Sequence, residues 1–449
     1  MLTSFSLTQG TFVLVSGRLG AVFGHKNMLF LGGSVFTIFT LINGFVPNYI
    51  AFNAIRALSG IGGALILPNA VAMIAITNPP GRWRNLSLGF FGASAPIGGF
   101  IGGMYIGLLV EYSEVKWFFV GIAAVAAIVF VSLWTLGPKE VPVDRHGKFD
   151  YIGALLGTSA LIIFNYVWNQ APAVGWAQPL EYTLLLVSVL LFGLFIAWEA
   201  RTPHPIMPLA IYKAPSFGAL LLVVLLNYMS MGTILWYMLL WQQNIRHWSV
   251  LHTAIGWSPF IVVATLGSLL AAWLVPRVAA QWIVAIGTVT AAISSLLLAT
   301  MPRQQIYWAQ MFPATVFMAL CPDLTFTAAQ IIASNAVRRH EQGVAGSLIG
   351  TLNLYGNSLG LGFAATVESR VAKDHGDTLL GYRSALFFGL GISLVALLID
   401  VFFVRLVKDE REGWDDADDE DEESTETLGR RSDPDHTPGV ELRRVAQVS

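Results

Sequence analysis

Long apolar runs, broken at short intervals by glycine, proline and basic residues, fill the chain almost to its end. Thirteen of them approach or exceed the roughly 20 residues a helix needs to cross a hydrocarbon core: residues 2–22, 28–46, 50–77, 86–109, 117–136, 151–168, 180–198, 216–240, 251–275, 281–300, 307–333, 343–367 and 382–407. The connections are mostly short, so successive helices should run antiparallel in a bundle. The alternating pattern of a transmembrane β-barrel is absent, and the runs are too long for one. The pattern predicts an all-α polytopic membrane protein.

Composition agrees. Of 449 residues, 55% are AVILMFWYC and only 12% are charged, against roughly 25% charged in a soluble domain. Mean hydropathy is +0.63. The net charge of -2 averages basic membrane loops against the acidic segment 408–449. That segment buries too little apolar surface to offset its ordering entropy, and is expected to be a disordered tail. The single cysteine, Cys321, excludes an intrachain disulfide and a multi-cysteine metal site. The histidines have no metal-ligand spacing, and no Gly-x-x-x-x-Gly-Lys phosphate loop is present, so direct drive by ATP is not expected.

Basic residues divide unequally between alternate loops. One set holds Lys26, Arg82, Arg84, Lys139, Arg145, Lys148, Arg201, Lys213, Arg277, Arg338 and Arg339; the other holds Lys116, Arg246, Arg303, Arg370, Lys373 and Arg383. The positive-inside rule places the richer set and the tail in the cytoplasm, with Met1 on the far side. The abrupt start on an apolar run is the expectation for a chain lacking a preceding helix.

Three stretches combine glycine with unusual chemistry. In "SGRLGAVFGHKNMLF", Gly17, Gly20 and Gly24 each cost helix stability, so they fit a tight reversal and a close backbone approach, with Arg18, His25 and Lys26 at the interface. In "AIRALSGIGGALILPNA", Arg56 lies inside a span, where an arginine costs at least ~2.5 kcal/mol and marks function by default; snorkelling or clamping of carbonyls is the alternative. In "GASAPIGGFIGGMYIG", Pro96 bends the helix while Gly98, Gly99, Gly102 and Gly103 offer a smooth packing face.

In this order these stretches resemble three motifs of the major facilitator superfamily. Gly17-x-x-x-Ala21-x-x-Gly24-x-Lys26 resembles the loop between its second and third helices, with alanine where the family carries an acid that holds the two halves together. Arg56-x-x-x-Gly60-x-Gly62 resembles the fourth-helix motif tied to proton coupling, and the Pro96 stretch the fifth-helix antiporter motif, with Ala95 in place of a glycine. The resemblance implies that the chain begins at helix two and that 151–168 and 180–198 are an extra pair. That arrangement is similar to the fourteen-span drug:H⁺ antiporters of the fungal aminotriazole-resistance and metabolite-efflux type, and residues 322–369 carry the strongest likeness. The implied division is a bundle over 1–136 without its first helix, an insert over 137–200, a second bundle over 201–407 and the tail. Residues 267–287 echo the opening hinge, as duplicated halves would.

The implied activity is proton-coupled export of small organic molecules by alternating access. The partners would be the substrate and the bilayer, with no cofactor beyond the proton gradient, no metal and no nucleic acid. The chain is expected to be a monomer in the plasma membrane, with the vacuolar membrane as the alternative. A facilitator for a small polar or inorganic solute such as ammonium or borate, or a transport-inactive sensor or truncated paralogue, are the competing readings. Intramembrane acids are the natural proton carriers. Asp323, after Cys321 and Pro322, ranks first, with capping of the following helix as its alternative role; Asp400 is expected to pair with Arg405 at an interface. Polar and aromatic candidates for a substrate cavity are Asn165, Trp168, Asn227, Trp236, Tyr237, Gln242, Asn353, Tyr355 and Asn357; helix–helix hydrogen bonding, or an aromatic belt for Trp236 and Tyr237, would employ them equally well.

Overall fold

The computed structural model describes residues 2–405 apart from 138–141, 143, 145, 146, 204, 208–215, 336 and 338–340. Lys139, Arg145, Lys213, Arg338, Arg339 and the acidic tail therefore lie outside the described residues. The first five helices are α1 (Leu2–Phe23), α2 (His25–Asn43), α3 (Tyr49–Thr77), α4 (Arg82–Tyr112) and α5 (Lys116–Leu136). Two more, α6 (Tyr151–Val174) and α7 (Pro179–Glu199), precede α8 (Phe217–Leu240), which ends in a π-helical turn, Trp241–Ile245. Then come α9 (Val250–Gly256), α10 (Ser258–Leu274), α11 (Ala280–Thr300), α12 (Met311–Asn335), α13 (Gln342–His375) and α14 (Thr378–Phe403). No strand occurs among the described residues.

These helices reproduce the thirteen apolar runs, with α9 and α10 sharing one. That run breaks at Trp257 because Pro259, tolerated in the first turn of α10, cannot donate to a helix continuing from α9. By length and composition, 10 helical segments can cross a membrane. The remaining three, α1, α2 and α13, carry more polar residues. α13 in particular spends its small and polar residues on buried contacts: Gly346, Ser347, Gly350 and Thr351 are all enclosed. Residues 368–381, expected as a loop, are instead mostly helical. α13 runs on to His375, supported by an Arg370–Asp374 ion pair one turn apart, and Asp377 caps α14 by accepting from the Leu379 amide at 2.9 Å.

Packing places α3 against α1 and α2, and α2 against α5. In the second half, α8, α11, α13 and α14 pack together, with α12 on α10 and α11. Across the seam between the halves, α1 and α3 meet α13 while α4 meets α9, α10 and α12. The extra pair α6–α7 packs on itself and lays α6 over α13 and α1. The end holding the 23–24, 78–81 and 275–279 turns is called the basic end below.

Candidate functional site

A cavity of about 890 Å³ lies on the seam, walled by α1, α2, α3, α4, α8, α9, α10, α12 and α13. Its lining is mostly apolar and aromatic, including Phe5, Phe91, Trp257 and Phe326, with polar groups from Gln9, Gln243, Asp323, Asn353 and Asn357. Such a surface, apolar with a few convergent polar groups, is the ordinary chemistry of a small-molecule site. Asp323 sits midway along the 25-residue helix α12 and is buried, 6% exposed. Its Oδ1 accepts a hydrogen bond from the Ser268 hydroxyl of α10 at 2.6 Å, and it has no ion pair among the described residues. The Tyr228 hydroxyl donates to the Pro322 carbonyl at 3.3 Å, so the turn of α12 beside Asp323 is held by α8. Asn357 donates to the Asn353 carbonyl and side-chain oxygen at 2.8 and 3.0 Å. A buried carboxylate facing an apolar cavity can be neutralised there by a proton or by a cationic solute.

The glycine hinge lies beneath this cavity at the basic end. A side chain at Gly17 would run into the backbone carbonyl of Gly343, so α1 and α13 meet there backbone to backbone. Gly20 leaves room for His25 and Asn69. The His25 Nδ1 donates to Asn69 Oδ1 at 2.7 Å, and Asn69 donates onward to the Ser16 hydroxyl at 2.9 Å. Gly24 turns the chain between α1 and α2 at φ 94, a left-handed value that favours glycine. The acid missing at Ala21 has no replacement on α1. Arg18 instead pairs with Asp144, beyond α5, at 2.8 Å. Lys26 donates to the Gly137 carbonyl at 2.6 Å and lies over the Trp134 ring.

Arg84 completes the closure. Its Nη2 reaches from α4 to the Ser334 carbonyl and hydroxyl of α12 at 3.0 and 2.8 Å, and to Gln342 Oε1 of α13 at 2.7 Å. Positive-inside counting treated Arg82 and Arg84 alike, as loop base. Two residues apart on a helix they point about 200° from each other, and so Arg84 is buried while Arg82 is exposed. Nothing local in the sequence distinguishes them. Gln9 is a wall residue outside the sequence candidates; its signal in the sequence is a polar amide in a membrane-spanning run.

Arg56 stands away from the cavity wall, its guanidinium 5.1 and 5.7 Å from the Phe5 and Phe119 ring centroids. Pro96, Gly99 and Gly103 face the cavity. Side chains added at Gly98, Gly99 or Gly102 would meet nothing within 4 Å. The close packing of α4 lies elsewhere, at Gly89 against Ala272, Gly92 against Thr327 and Gly107 against Leu251. Asn353 and Asn357 line the cavity; Asn165, Trp168, Asn227, Trp236, Tyr237, Gln242 and Tyr355 do not. Asn227 donates to the Thr288 hydroxyl of α11 at 2.8 Å, Tyr237 to Glu368 at 2.6 Å, and Gln242 accepts from Trp257 Nε1 at 2.7 Å. Trp236 packs on the core of the second half. Asn165, Trp168 and Tyr355 belong to the α6–α13 contact: Ser358 donates to Asn165 at 2.9 Å, and Trp168 and Tyr355 pack on Phe363 and Phe164. Asp400 is buried with no side-chain hydrogen bond among the described residues. The expected pair with Arg405 is not formed, because Asp400 lies on the inward stripe of α14 with Gly389, Ser393 and Ala396.

At the opposite end, Ser249 donates to Glu111 Oε1 at 2.6 Å, joining α4 to the segment before α9. The halves are therefore in contact above and below the cavity.

Comparison with known proteins gives a consistent result. The family model described as Major Facilitator Superfamily matches residues 1–361 and 220–434. The aminotriazole resistance protein of Saccharomyces cerevisiae is 32% identical over 412 residues, 90% of this chain and 76% of that protein. The efflux pump terJ of Aspergillus terreus is 32% identical over 408 residues, 89% and 79% respectively. The low affinity ammonium transporter of Saccharomyces cerevisiae is 31% identical over 406 residues, 88% and 79%. The crystal structure of the human organic anion transporter MFSD10 superposes with a TM-score of 0.62 at 15% identity, covering 89% of this chain and 82% of that one.

Proposed function

The chain belongs to the major facilitator superfamily and is a multi-pass membrane transporter, and on that premise we propose that it exports small amphipathic organic molecules in exchange for protons. The observation that carries this reading is Asp323, a lone carboxylate at mid-height of α12 in the wall of the seam cavity. Binding sites of such transporters lie near the bilayer midplane between the two halves. The basic end is cytoplasmic by the positive-inside rule, and the contacts of Gly17 and Arg84 close it. Rocking the halves apart there exposes the cavity to the cytoplasm. Substrate entering displaces the proton on Asp323; reprotonation from the outer side releases the substrate and resets the site. Similarity to efflux proteins supports the direction of transport. The working unit is a single chain in the plasma membrane, or alternatively the vacuolar membrane, needing no cofactor but the proton gradient.

A facilitator for a small polar solute is favoured by the similarity to the ammonium transporter. Reconstituted vesicles separate the two readings. With a pH gradient imposed, uphill accumulation of a fluorescent cationic drug that collapses with a protonophore and is lost in Asp323→Asn supports exchange. Flux that follows the solute gradient alone, unchanged in Asp323→Asn, overturns it in favour of the facilitator. Absence of flux for drug and ammonium alike identifies a transport-inactive protein.

A further inference from the structure

The seam between α4 and α10 ends, at the basic end, in two arginines that use no carboxylate among the described residues. Gly89 of α4 and Ala272 of α10 pack so closely that a Cβ on Gly89 would lie 2.7 Å from the Ala272 methyl. α4 leaves this contact toward Arg82, two turns away on the same stripe, and the antiparallel chain of α10 leaves it toward Arg277. At 1.5 Å per residue the two positions lie within about one helical turn of the same depth. One belongs to each half. Both are exposed, and neither has an ion pair among the described residues. Arg277 is instead folded over its own Trp273 ring, 4.2 Å from the centroid, donating to the Trp273 carbonyl.

Two tryptophans flank the pair on the outer surface, Trp83 at 74% and Trp273 at 54% exposure. Exposed tryptophan is favoured at the headgroup level of a bilayer, where an apolar ring meets a wet edge. Two planar, permanently charged guanidiniums at that level, without counter-ions among the described residues, match the geometry and charge of a phosphate ester. Basic pockets between transmembrane helices hold anionic headgroups by the same chemistry.

We propose that Arg82 and Arg277, flanked by Trp83 and Trp273, bind the phosphate headgroup of an anionic membrane lipid and thereby bridge the two halves at the basic end. The acyl chains lie against the outer surface of α4 and α10. Because the headgroup touches both halves, it favours the arrangement in which this end is closed, so lipid composition tunes the balance between the two access states. This inference rests on the membrane-spanning fold and not on the exchange of protons.

The test uses the full chain purified in detergent and titrated with phosphatidylserine, phosphatidylcholine or inorganic phosphate. Bound lipid is counted by native mass spectrometry, and unfolding temperature is followed in parallel. The expected result is preferential retention of phosphatidylserine over phosphatidylcholine. Retention should fall at least fivefold in Arg82→Gln/Arg277→Gln, survive in Arg82→Lys/Arg277→Lys, and be unaffected in Arg370→Gln at the opposite end. Equal retention of the two lipids, or undiminished phosphatidylserine in the double glutamine variant, overturns the proposal. Protection by inorganic phosphate matching that by phosphatidylserine overturns it too, assigning the pair to a soluble anion. Should the double variant not fold, Arg82→Gln alone, at an exposed position, carries the same prediction with a smaller fall.

Discussion

Arg84 of α4 and Gln342 of α13, separated by 258 residues in sequence, are joined by a 2.7 Å hydrogen bond across the seam. Arg84 is fully buried, and the same guanidinium nitrogen also holds the last turn of α12 through Ser334. Removing it breaks its charged hydrogen bonds to Ser334 and Gln342, which keep their bonds to each other, at about 1.5–3 kcal/mol. The loss falls on the closed arrangement, since opening this end separates the partners in any case. A cysteine at Ser347, buried on the seam facing Gly17, in a Cys321→Ala background, should therefore be alkylated roughly tenfold faster or more when Arg84→Ala is added. Unchanged alkylation would show that Arg84 serves only the local fold.

Gly17 and Gly98 make opposite predictions from the same chemical change. A methyl group at Gly17 collides with the Gly343 carbonyl, whereas at Gly98 it meets nothing within 4 Å. Gly17→Ala should cut transport by roughly tenfold or more, with surface expression retained, because overpacking at a close helix contact costs about 1–3 kcal/mol. Gly98→Ala should transport normally. The pair is compared in one uptake assay normalised to protein in the membrane.

Gly99 borders the cavity and likewise has open space around it. Gly99→Phe should fold, with an unfolding temperature near that of the parent, but fill part of the cavity. Flux of a bulky substrate should drop roughly tenfold while a smaller one is affected less. An equal loss for both would place the limiting contact elsewhere.

The extra helix pair is pinned to α13 by a small polar cluster. Ser358 donates to Asn165 at 2.9 Å, and Asn169 donates to Asn165 and Ser358 at 2.8 and 3.1 Å. Hydrogen bonds between membrane helices contribute about 0.6–2 kcal/mol. Ser358→Ala should lower the thermal stability of the purified protein by about that amount, with transport largely retained. Asn165→Leu should cost about the same, because each change removes the Ser358–Asn165 bond and one side-chain acceptor of the Asn169 amide. Thermal unfolding in detergent checks both.

The amino-acid sequence by itself laid out the apolar helices and their antiparallel order, because a backbone in hydrocarbon must satisfy its hydrogen bonds within each helix; the pair α6–α7 was marked as an insert only by resemblance to a family. It also picked out Asp323, since a carboxylate in an apolar run is costly enough to stand out. Which polar residues face the cavity was decided by tertiary structure alone. Asn353 and Asn165 are equally conspicuous in their runs, yet one lines the cavity and the other fastens α6 to α13. Apolar periodicity cannot separate them, because in a membrane the lipid face and the packed face of a helix are both apolar. Only the position of a neighbouring helix, brought in from a distant part of the chain, decides whether a polar side chain meets a partner or a cavity. The same holds for Arg82 and Arg84: two residues apart, one points outward to the surface and the other across the seam, where helices from the second half supply its acceptors.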